Sequence, residues 1–218
     1  MAPRGVFAGE DGIARCWWAG SDPLYVRYHD EEWGFPARGD DALFEKVCLE
    51  GFQSGLSWLT ILRKRENFRR AFAGFDPSVV ARFGAREVSR LLRDAGIVRH
   101  RGKIESTIGN ARRALELARE TGSLEAYFAP WAPDARSRPR RLTRAALVKM
   151  ATTPESIALS KDLRKRGWTF VGPTTMYAFM QAVGLVNDHV EGCAIRDRAE
   201  RARRDAKGRG WPAGAGRR

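Results

Sequence analysis

One carboxylate stands inside an otherwise apolar, helix-rich stretch of the sequence, Cys48-Leu-Glu-Gly-Phe-Gln-Ser-Gly-Leu-Ser-Trp58. Glu50 is flanked by Leu49 and Phe52, and an indole follows at Trp58. A charged group among apolar side chains is costly to desolvate, and groups that are buried despite this cost are often functional. Glu50 is therefore a candidate for recognising a ligand or assisting a reaction. Taken alone, however, the pattern favours a helical acid that points to solvent.

Two cysteines and two histidines, one pair near each end of the chain, form a second candidate site. His189 and Cys193 are four residues apart, a spacing that lets two ligands share one helix face or turn. Cys16 and His29 supply a matching pair near the amino terminus. A Cys2His2 set would close a tetrahedral structural zinc site that has no open position for water and pins the two ends together. Spacing alone leaves the pairing open, because the halves are far apart in sequence.

Other uses of cysteine and histidine also remain open. A Cys-His hydrolase would use Cys193 and His189 for nucleophilic catalysis, and metal binding by both residues would exclude it. Cys48 lies on an apolar helical face and is predicted to be a buried free thiol. Three cysteines in a chain of 218 residues do not indicate a disulfide framework.

Helical signals dominate the regions that must position these residues. Apolar residues recur at helical spacing in five stretches, residues 43–48, 58–62, 80–92, 104–118 and 176–183. Asp40 or Asp41 can cap the first stretch, and Asp76-Pro77 is a start signal for the third. Glycines at 51 and 55 interrupt the pattern, so that Glu50 and Trp58 flank a helix junction. No stretch shows the sustained alternation of a strand, and we predict an all-α fold.

Composition bounds the domain organisation and the class of partner. The chain is long and apolar enough, at 43% hydrophobic residues, for one domain or two closely packed lobes. We predict a flexible leader at residues 1–14, a folded unit of two helical lobes at residues 15–195, and a basic tail at residues 196–218. The tail has charge without an apolar period, which predicts disorder or a frayed helix. The net charge of +13 suits a polyanionic partner such as nucleic acid.

The sequence also lacks the usual membrane and secretion signals. No apolar run approaches the roughly 20 residues that a membrane-spanning helix needs, and the amino terminus lacks a secretory pattern. The expected location is the cytoplasm, with no membrane partner.

Five motifs occur in order along the chain and are far more specific together than any one alone. They are Cys16-Trp-Trp, Asp22-Pro-Leu-Tyr-Val-Arg-Tyr-His-Asp-Glu-Glu-Trp-Gly34, Leu49-Glu-Gly-Phe-Gln-Ser-Gly-Leu-Ser-Trp58, Asp94-Ala-Gly-Ile-Val-Arg-His-Arg-Gly-Lys-Ile104 and Gly184-Leu-Val-Asn-Asp-His-Val-Glu-Gly-Cys193. Together they resemble the bacterial 3-methyladenine DNA glycosylase I family from about Cys16 to Cys193. The resemblance implies a helix-hairpin-helix glycosylase fold and an enzyme that releases 3-methyladenine from alkylated double-stranded DNA.

The resemblance also implies roles for particular residues. The zinc ligands would be Cys16, His29, His189 and Cys193. Glu50 matches the carboxylate that reads the hydrogen-bonding edge of the flipped base. Aromatic residues would pack on that base or build the walls of its pocket, namely Tyr25, Tyr28 and Trp58, with Trp18 and Trp33 further out.

Contacts with DNA follow from the same resemblance. The hairpin at residues 167–172 and the helix start after Gly172 suit a phosphate, although Phe170 replaces the first glycine of the usual hairpin. Thr174 stands where lyase members carry a lysine, which predicts a monofunctional enzyme without a Schiff base. Leu56 would either wedge into the gap left by the flipped nucleotide or lie in the core. Asp188 would either orient His189 as a zinc ligand or lie near the sugar.

A monomer that acts on duplex DNA is the expected form of the protein. The rival interpretation is a non-catalytic, zinc-stabilised DNA-binding module that uses the same basic face. Such a module has no need for the set of Glu50, Tyr28 and Trp58, and release of free base from methylated DNA distinguishes the two.

Overall fold

The computed structural model describes residues 5–139 and 141–207, and these residues are mostly helical. Eleven α-helices lie within this part of the chain: α1 Pro23–Glu31, α2 Asp40–Gln53, α3 Trp58–Ala71, α4 Pro77–Val80, α5 Ala85–Arg93, α6 Arg101–Thr121, α7 Leu124–Phe128, α8 Arg144–Lys149, α9 Pro154–Lys165, α10 Pro173–Ala182 and α11 Arg196–Lys207. Short 3-10 turns occur at Trp17–Ala19, Ala73–Phe75, Ala129–Trp131 and Ala135–Ser137. The prediction of a mainly helical protein is confirmed.

A small sheet departs from the all-α prediction. Strand β1, Val6–Ala8, pairs antiparallel with strand β2, Ala14–Cys16. The predicted flexible leader is therefore wrong for residues 6–14, where backbone pairing orders the chain. Residues 1–4 of that leader lie outside the described residues.

Local hydrogen bonds explain where several helices begin. The Asp22 carboxylate accepts bonds from the amides of Leu24 and Tyr25 at the start of α1. Asp76 caps α4 as predicted. Helix α2 differs, since its cap is Gly39 at φ 83° and Asp40 lies in the first turn. The Asp40 carboxylate instead accepts a bond from the amide of Leu124, which ties α2 to α7.

Helix α2 runs through the centre of the molecule. It packs against α3, α6, α7 and α10, and all but its first three residues and its last are buried. Phe44 and Leu49 have no exposed surface, and Cys48 is a buried free thiol as predicted. A helix enclosed in this way can hold a charged side chain only where a cavity or a partner receives it, which makes the position of Glu50 informative.

A tight connection joins α9 to α10 and lies against α2. Phe170 adopts the left-handed conformation in this turn, at φ 55°. Asn110 of α6 fixes the connection through two hydrogen bonds of 3.0 Å, one to the amide and one to the carbonyl of Thr169. A Cβ atom on Gly51 would lie 3.3 Å from the Phe170 Cβ atom, so the turn and α2 are in close contact.

The carboxyl-terminal helix corrects the prediction for the tail. Residues 196–207 form α11, in which Ala199 is fully buried. Arg203 donates hydrogen bonds to the carbonyls of Gly184 at 2.8 Å and Leu185 at 3.0 Å. Small alanines and long arginines dock this helix without an apolar period, so periodicity gave no signal. Residues 208–218 lie outside the described part of the chain. None of the described helices is both long and apolar enough to cross a membrane.

Candidate active site and metal-binding cluster

A cavity of about 300 Å³ opens between the amino-terminal aromatic segment and helices α2, α3, α8 and α10. Glu50 reaches it from α2, Trp58 from the start of α3, and Tyr28 from α1. Helix α10 supplies one face, since Thr174, Tyr177, Ala178 and Gln181 recur at helical spacing along it. Leu147 and Met150, from and just after α8, close another side. The structure thus brings together residues that the sequence spreads over nearly its whole length.

Glu50 is buried, with 5% of its surface exposed, so the interpretation of a solvent-facing acid is wrong. Its carboxyl group makes no side-chain hydrogen bond within the described residues and borders the cavity. Burial raises the pKa of Glu50 to about 8, and the nearby cation of Lys46 opposes this rise. A cationic ligand in the cavity would favour the ionised carboxylate.

Aromatic rings form the walls around this acid. The ring centroids of Tyr28 and Trp58 are 5.4 Å apart, and those of Tyr25 and Tyr28 are stacked at 6.4 Å. Trp18 contacts Tyr25 at 5.2 Å and Trp33 at 4.7 Å in the same wall. The faces of such rings are electron-rich and attract cations.

Trp58 contributes a polar group as well as a ring. Its indole N–H is buried, and no acceptor among the described residues bonds to it. A buried donor without a partner costs free energy, and such donors are rare in folded proteins. Because Trp58 also lines the cavity, this unpaired donor is a candidate hydrogen-bond partner for a ligand.

A partly buried ionic cluster behind Tyr28 has no counterpart in the sequence predictions. The Lys46 ammonium lies 5.1 Å from the centre of the Tyr28 ring and forms an ion pair of 3.1 Å with Glu32. Arg65 holds the same carboxylate through bonds of 2.5 and 2.8 Å. Burial raises the pKa of Glu32, but Arg65 and Lys46 outweigh that effect and lower it to about 2. Lys46 lies on the buried side of α2, one turn before Glu50, yet spacing alone gave no sign that its charge is enclosed.

The four predicted metal ligands converge in a second, fully buried cluster. The ligand atoms of Cys16, His29, His189 and Cys193 all lie within 4.8 Å of one another, so the group could bind a metal ion. Cys16 ends strand β2 and His29 lies in α1, whereas the other two follow α10. The cluster therefore joins the two ends of the folded chain, as predicted.

Each histidine has its second ring nitrogen fixed by another group. His29 Nδ1 lies 2.7 Å from an Asp30 carboxylate oxygen, so its Nε2 faces the cluster. Arg15 grips that carboxylate with bonds of 2.8 to 2.9 Å. His189 Nε2 lies 3.0 Å from the Trp33 carbonyl, which leaves Nδ1 facing inward. Such contacts orient histidines that bind metal ions.

Of the two alternatives predicted for Asp188, the one in which it orients His189 is wrong. Its fully buried carboxylate accepts bonds from Tyr177 at 2.5 Å, from Gln181 at 2.8 Å and from the Arg138 guanidinium. Asp30 and the Trp33 carbonyl contact the metal-site histidines instead. Sequence reasoning identified Asp188 but missed these three partners, which come from the linker before α8 and from α10.

Cys193 and His189 do not have the setting of a catalytic pair. They are 6% and 0% exposed, and Cys193 Sγ lies 3.4 Å from His189 Nδ1 and 3.6 Å from His29 Nε2. A hydrolase nucleophile must reach its substrate, and here the thiol faces other ligands. The Cys-His hydrolase interpretation therefore has no support in this geometry.

The residues predicted to contact DNA lie in the loop between α2 and α3 and at the start of α10. Leu56 lies between α2 and α3 and is 41% exposed, so its interpretation as a core residue is wrong. The Lys103 ammonium stabilises this loop by donating bonds to the carbonyls of Phe52 at 2.8 Å and Ser54 at 2.6 Å. Gly172 is the cap of α10, and Thr174 in its first turn lines the cavity.

Several known proteins are similar to this chain in sequence and in fold. A family model described as methyladenine glycosylase matches residues 18–197. The chain is 51% identical over 182 residues to the DNA-3-methyladenine glycosylase 1 of Escherichia coli, covering 83% of this chain and 96% of that one. A crystal structure of 3-methyladenine DNA glycosylase I matches with a TM-score of 0.75 and 47% identity, covering 83% of this chain and 98% of that one.

A further match is the crystal structure of a 3-methyladenine DNA glycosylase I variant in complex with 3-methyladenine. Its TM-score is 0.77 at 32% identity, and the match covers 84% of this chain and 97% of that one. The resemblance drawn from the five motifs is confirmed. Because the family model spans most of the chain and the relatives are matched over nearly their whole length, the chain belongs to the methyladenine glycosylase family.

Proposed function

We propose that this protein acts in base-excision repair of alkylated DNA, where it hydrolyses the N-glycosidic bond of 3-methyladenine. The products are the free base and an abasic site. The observation that carries the proposal is the buried, unbonded Glu50 carboxyl group at the wall of an aromatic cavity, in a chain of the methyladenine glycosylase family. Relatives with this name, one of them in complex with 3-methyladenine, support the choice of base.

Recognition of charge is the main task of the cavity in this mechanism. An adenine methylated at N3 in DNA is cationic and stacks poorly, so it is easier to flip out than an intact base. The rings of Tyr25, Tyr28 and Trp58 then attract the cation. Glu50 ionises as the cation enters and adds charge and a hydrogen-bond acceptor.

Bond cleavage needs little acid catalysis under this proposal. The cationic base is already a good leaving group, so no side chain must protonate it. Water attacks the anomeric carbon of an oxocarbenium-like sugar, and Glu50 steadies the positive charge near that centre. Thr174 lines the cavity where a lysine nucleophile would be required for a Schiff base, which supports a monofunctional reaction. The Asp188 carboxylate already accepts bonds from three side chains and is not assigned a role in activating water.

Duplex DNA would be held by two neighbouring features. We assign phosphate binding to the turn at residues 167–172 and to Gly172 and Thr174 at the start of α10, as in a helix-hairpin-helix, because helix starts offer free amides and a favourable dipole. Leu56, exposed on a loop that Lys103 stabilises, would fill the gap left by the flipped nucleotide.

The buried cluster fits zinc. A tetrahedral ion with Zn–S near 2.3 Å and Zn–N near 2.0–2.1 Å separates sulfur from nitrogen by roughly 3.5 Å and two nitrogens by roughly 3.3 Å. Cys16 Sγ lies 3.7 Å from His189 Nδ1, and Cys193 Sγ lies 3.4 Å from the same atom. The two inward-facing ring nitrogens are 3.2 Å apart. With four protein ligands the ion would be structural, holding the aromatic wall on α1 against the segment after α10.

Release of free base tests the proposed function. Methylated duplex DNA is incubated with the zinc-loaded protein, and the supernatant is separated by chromatography; we expect 3-methyladenine, with abasic sites left in the DNA. Binding to the DNA without release of base would instead support a non-catalytic binding module. The expectations of a monomer and a cytoplasmic location stay predictions, to be checked by light scattering after gel filtration and by cell fractionation.

A further inference from the structure

Behind one wall of the cavity lies a buried carboxylate with three hydrogen-bond donors. Asp188 has no exposed surface, and its Oδ1 atom accepts a hydrogen bond from the Arg138 guanidinium. Its Oδ2 atom accepts bonds from the Tyr177 hydroxyl at 2.5 Å and from Gln181 Nε2 at 2.8 Å. All three contacts therefore run from a donor on the partner to an oxygen of this carboxylate.

This arrangement determines which end of the Gln181 amide points where. A carboxylate that is paired with a guanidinium accepts hydrogen bonds, so the NH₂ group of Gln181 faces Asp188. The bond from Nε2 is the only side-chain hydrogen bond that Gln181 makes within the described residues. Its carbonyl oxygen, Oε1, therefore remains available as an acceptor with a fixed orientation.

Gln181 lies in the wall of the cavity that contains Glu50. It is four residues after Tyr177 on α10, so both side chains occupy the same helix face and share Asp188 behind it. Gln181 is only partly buried, unlike its neighbours Met180 and Ala182. An oriented acceptor thus borders the space assigned to the base.

We propose that Gln181 is a specificity-determining residue that selects a base with an amine at C6, the N6 amine of adenine. Its Oε1 atom accepts a hydrogen bond from the amine of 3-methyladenine, and Asp188 and Arg138 act as positioning residues that prevent the amide from turning. Guanine bases carry a carbonyl oxygen at the corresponding position. Two acceptors would then face each other without a hydrogen, which disfavours 3-methylguanine. This inference rests on the proposed glycosylase function.

The test compares release of the two bases by matched variants. Methylated DNA rich in A·T pairs and methylated DNA rich in G·C pairs are the substrates, and single-turnover rates are measured for 3-methyladenine and 3-methylguanine. Gln181→Met keeps the length of the side chain but removes the acceptor. We expect 3-methyladenine release to fall at least about tenfold, the size of one hydrogen bond, while 3-methylguanine release rises because no acceptor then faces its carbonyl oxygen.

A second variant should reverse the polarity of the wall. Arg138 can only donate hydrogen bonds, so in Asp188→Asn the oxygen of the new amide stays bonded to Arg138. The NH₂ group of that amide then faces Gln181. Gln181 must then turn its own NH₂ group toward the cavity, and 3-methylguanine release should rise. The selectivity ratio should fall by more than in Gln181→Met. Melting temperature and metal content of both variants are measured as checks on folding.

Gln53 provides a matched control. It lines the same cavity, but its side chain has no hydrogen-bond partner among the described residues and can present either end to a base. Gln53→Met should therefore leave the selectivity ratio nearly unchanged.

An equal fall of both rates in Gln181→Met, an unchanged ratio, or a wild-type protein that releases both bases equally would each overturn the inference. A wild-type protein that releases no 3-methyladenine would overturn the proposed function itself. If Asp188→Asn does not fold, Gln181→Met still decides.

Discussion

Replacing Glu50 with glutamine should remove a charge from the base cavity while keeping the shape of the side chain. Glu50 is 5% exposed, and its carboxyl group has a pKa of about 8. Once ionised, it would contribute a charge-assisted hydrogen bond to a cationic base, worth about 3 kcal/mol or roughly a hundredfold in kcat/KM. The Glu50→Gln variant should therefore have a kcat/KM about a hundredfold below that of the wild type, but only at pH values where the wild-type Glu50 is ionised in the free enzyme.

The deficit should therefore depend on pH. Near pH 7, about a tenth of wild-type molecules have an ionised Glu50, and near pH 9 about nine-tenths do, given a pKa of about 8. Wild-type kcat/KM for release of 3-methyladenine should rise about tenfold over this interval, whereas Glu50→Gln should remain nearly flat. The deficit then grows from about tenfold near pH 7 to about a hundredfold near pH 9.

The contribution of Glu50 to the unfolding free energy should fall as pH rises, whereas its contribution to kcat/KM rises. Because folding raises the pKa of Glu50 above 4.5, the neutral group favours the folded state at low pH, and this contribution is lost as pH rises toward 8. The wild-type protein should thus lose up to a few kcal/mol of unfolding free energy relative to Glu50→Gln between about pH 4.5 and pH 8. Thermal melts of both proteins measure this difference and show that the variant folds.

Parallel pH profiles would refute this reasoning. If wild type and Glu50→Gln both rise, or both stay flat, with pH in single-turnover release assays, the ionisation of Glu50 does not control recognition. A constant hundredfold deficit would mean that Glu50 is already ionised near pH 7. Unchanged release in the variant would remove Glu50 from the base site.

Three further predictions concern the metal cluster, the indole and the loop. Metal analysis should find one zinc per chain, and Cys193→Ser should lower both zinc content and melting temperature; well under one zinc in undamaged protein would contradict the four-ligand site. Trp58→Phe should raise the unfolding free energy or leave it unchanged, because it removes a buried donor without a partner, yet weaken binding of 3-methyladenine in calorimetry; tighter binding would show that the indole N–H has no ligand role. Leu56→Ala should cost less than about 1 kcal/mol of stability at its exposed position but weaken binding to abasic-site duplex by about tenfold, and an equal loss on undamaged duplex would argue against a wedge.

The sequence by itself determined the features that depend on residue type and near neighbours. Asp76 was predicted as a helix cap because the bond it accepts comes from an amide two residues away. The four metal ligands were grouped because they are two of only three cysteines and two of only three histidines, and the family resemblance then chose their pairing, which spacing had left open. The family was recognised because five long motifs occur in a fixed order.

Only the tertiary structure decided which of these side chains face a cavity and what orients them. Glu50 looked like a surface acid, and Leu56 like a core residue as readily as a wedge, because burial depends on segments that pack from far along the chain. The same reason hid α11, which docks through arginine bonds to the backbone and not through an apolar stripe. Asp188, Gln181 and Arg138 have no recognisable spacing, since their contact exists only where the linker before α8 meets α10. Sequence order specifies the groups that can do chemistry, and packing decides their partners, charge and direction.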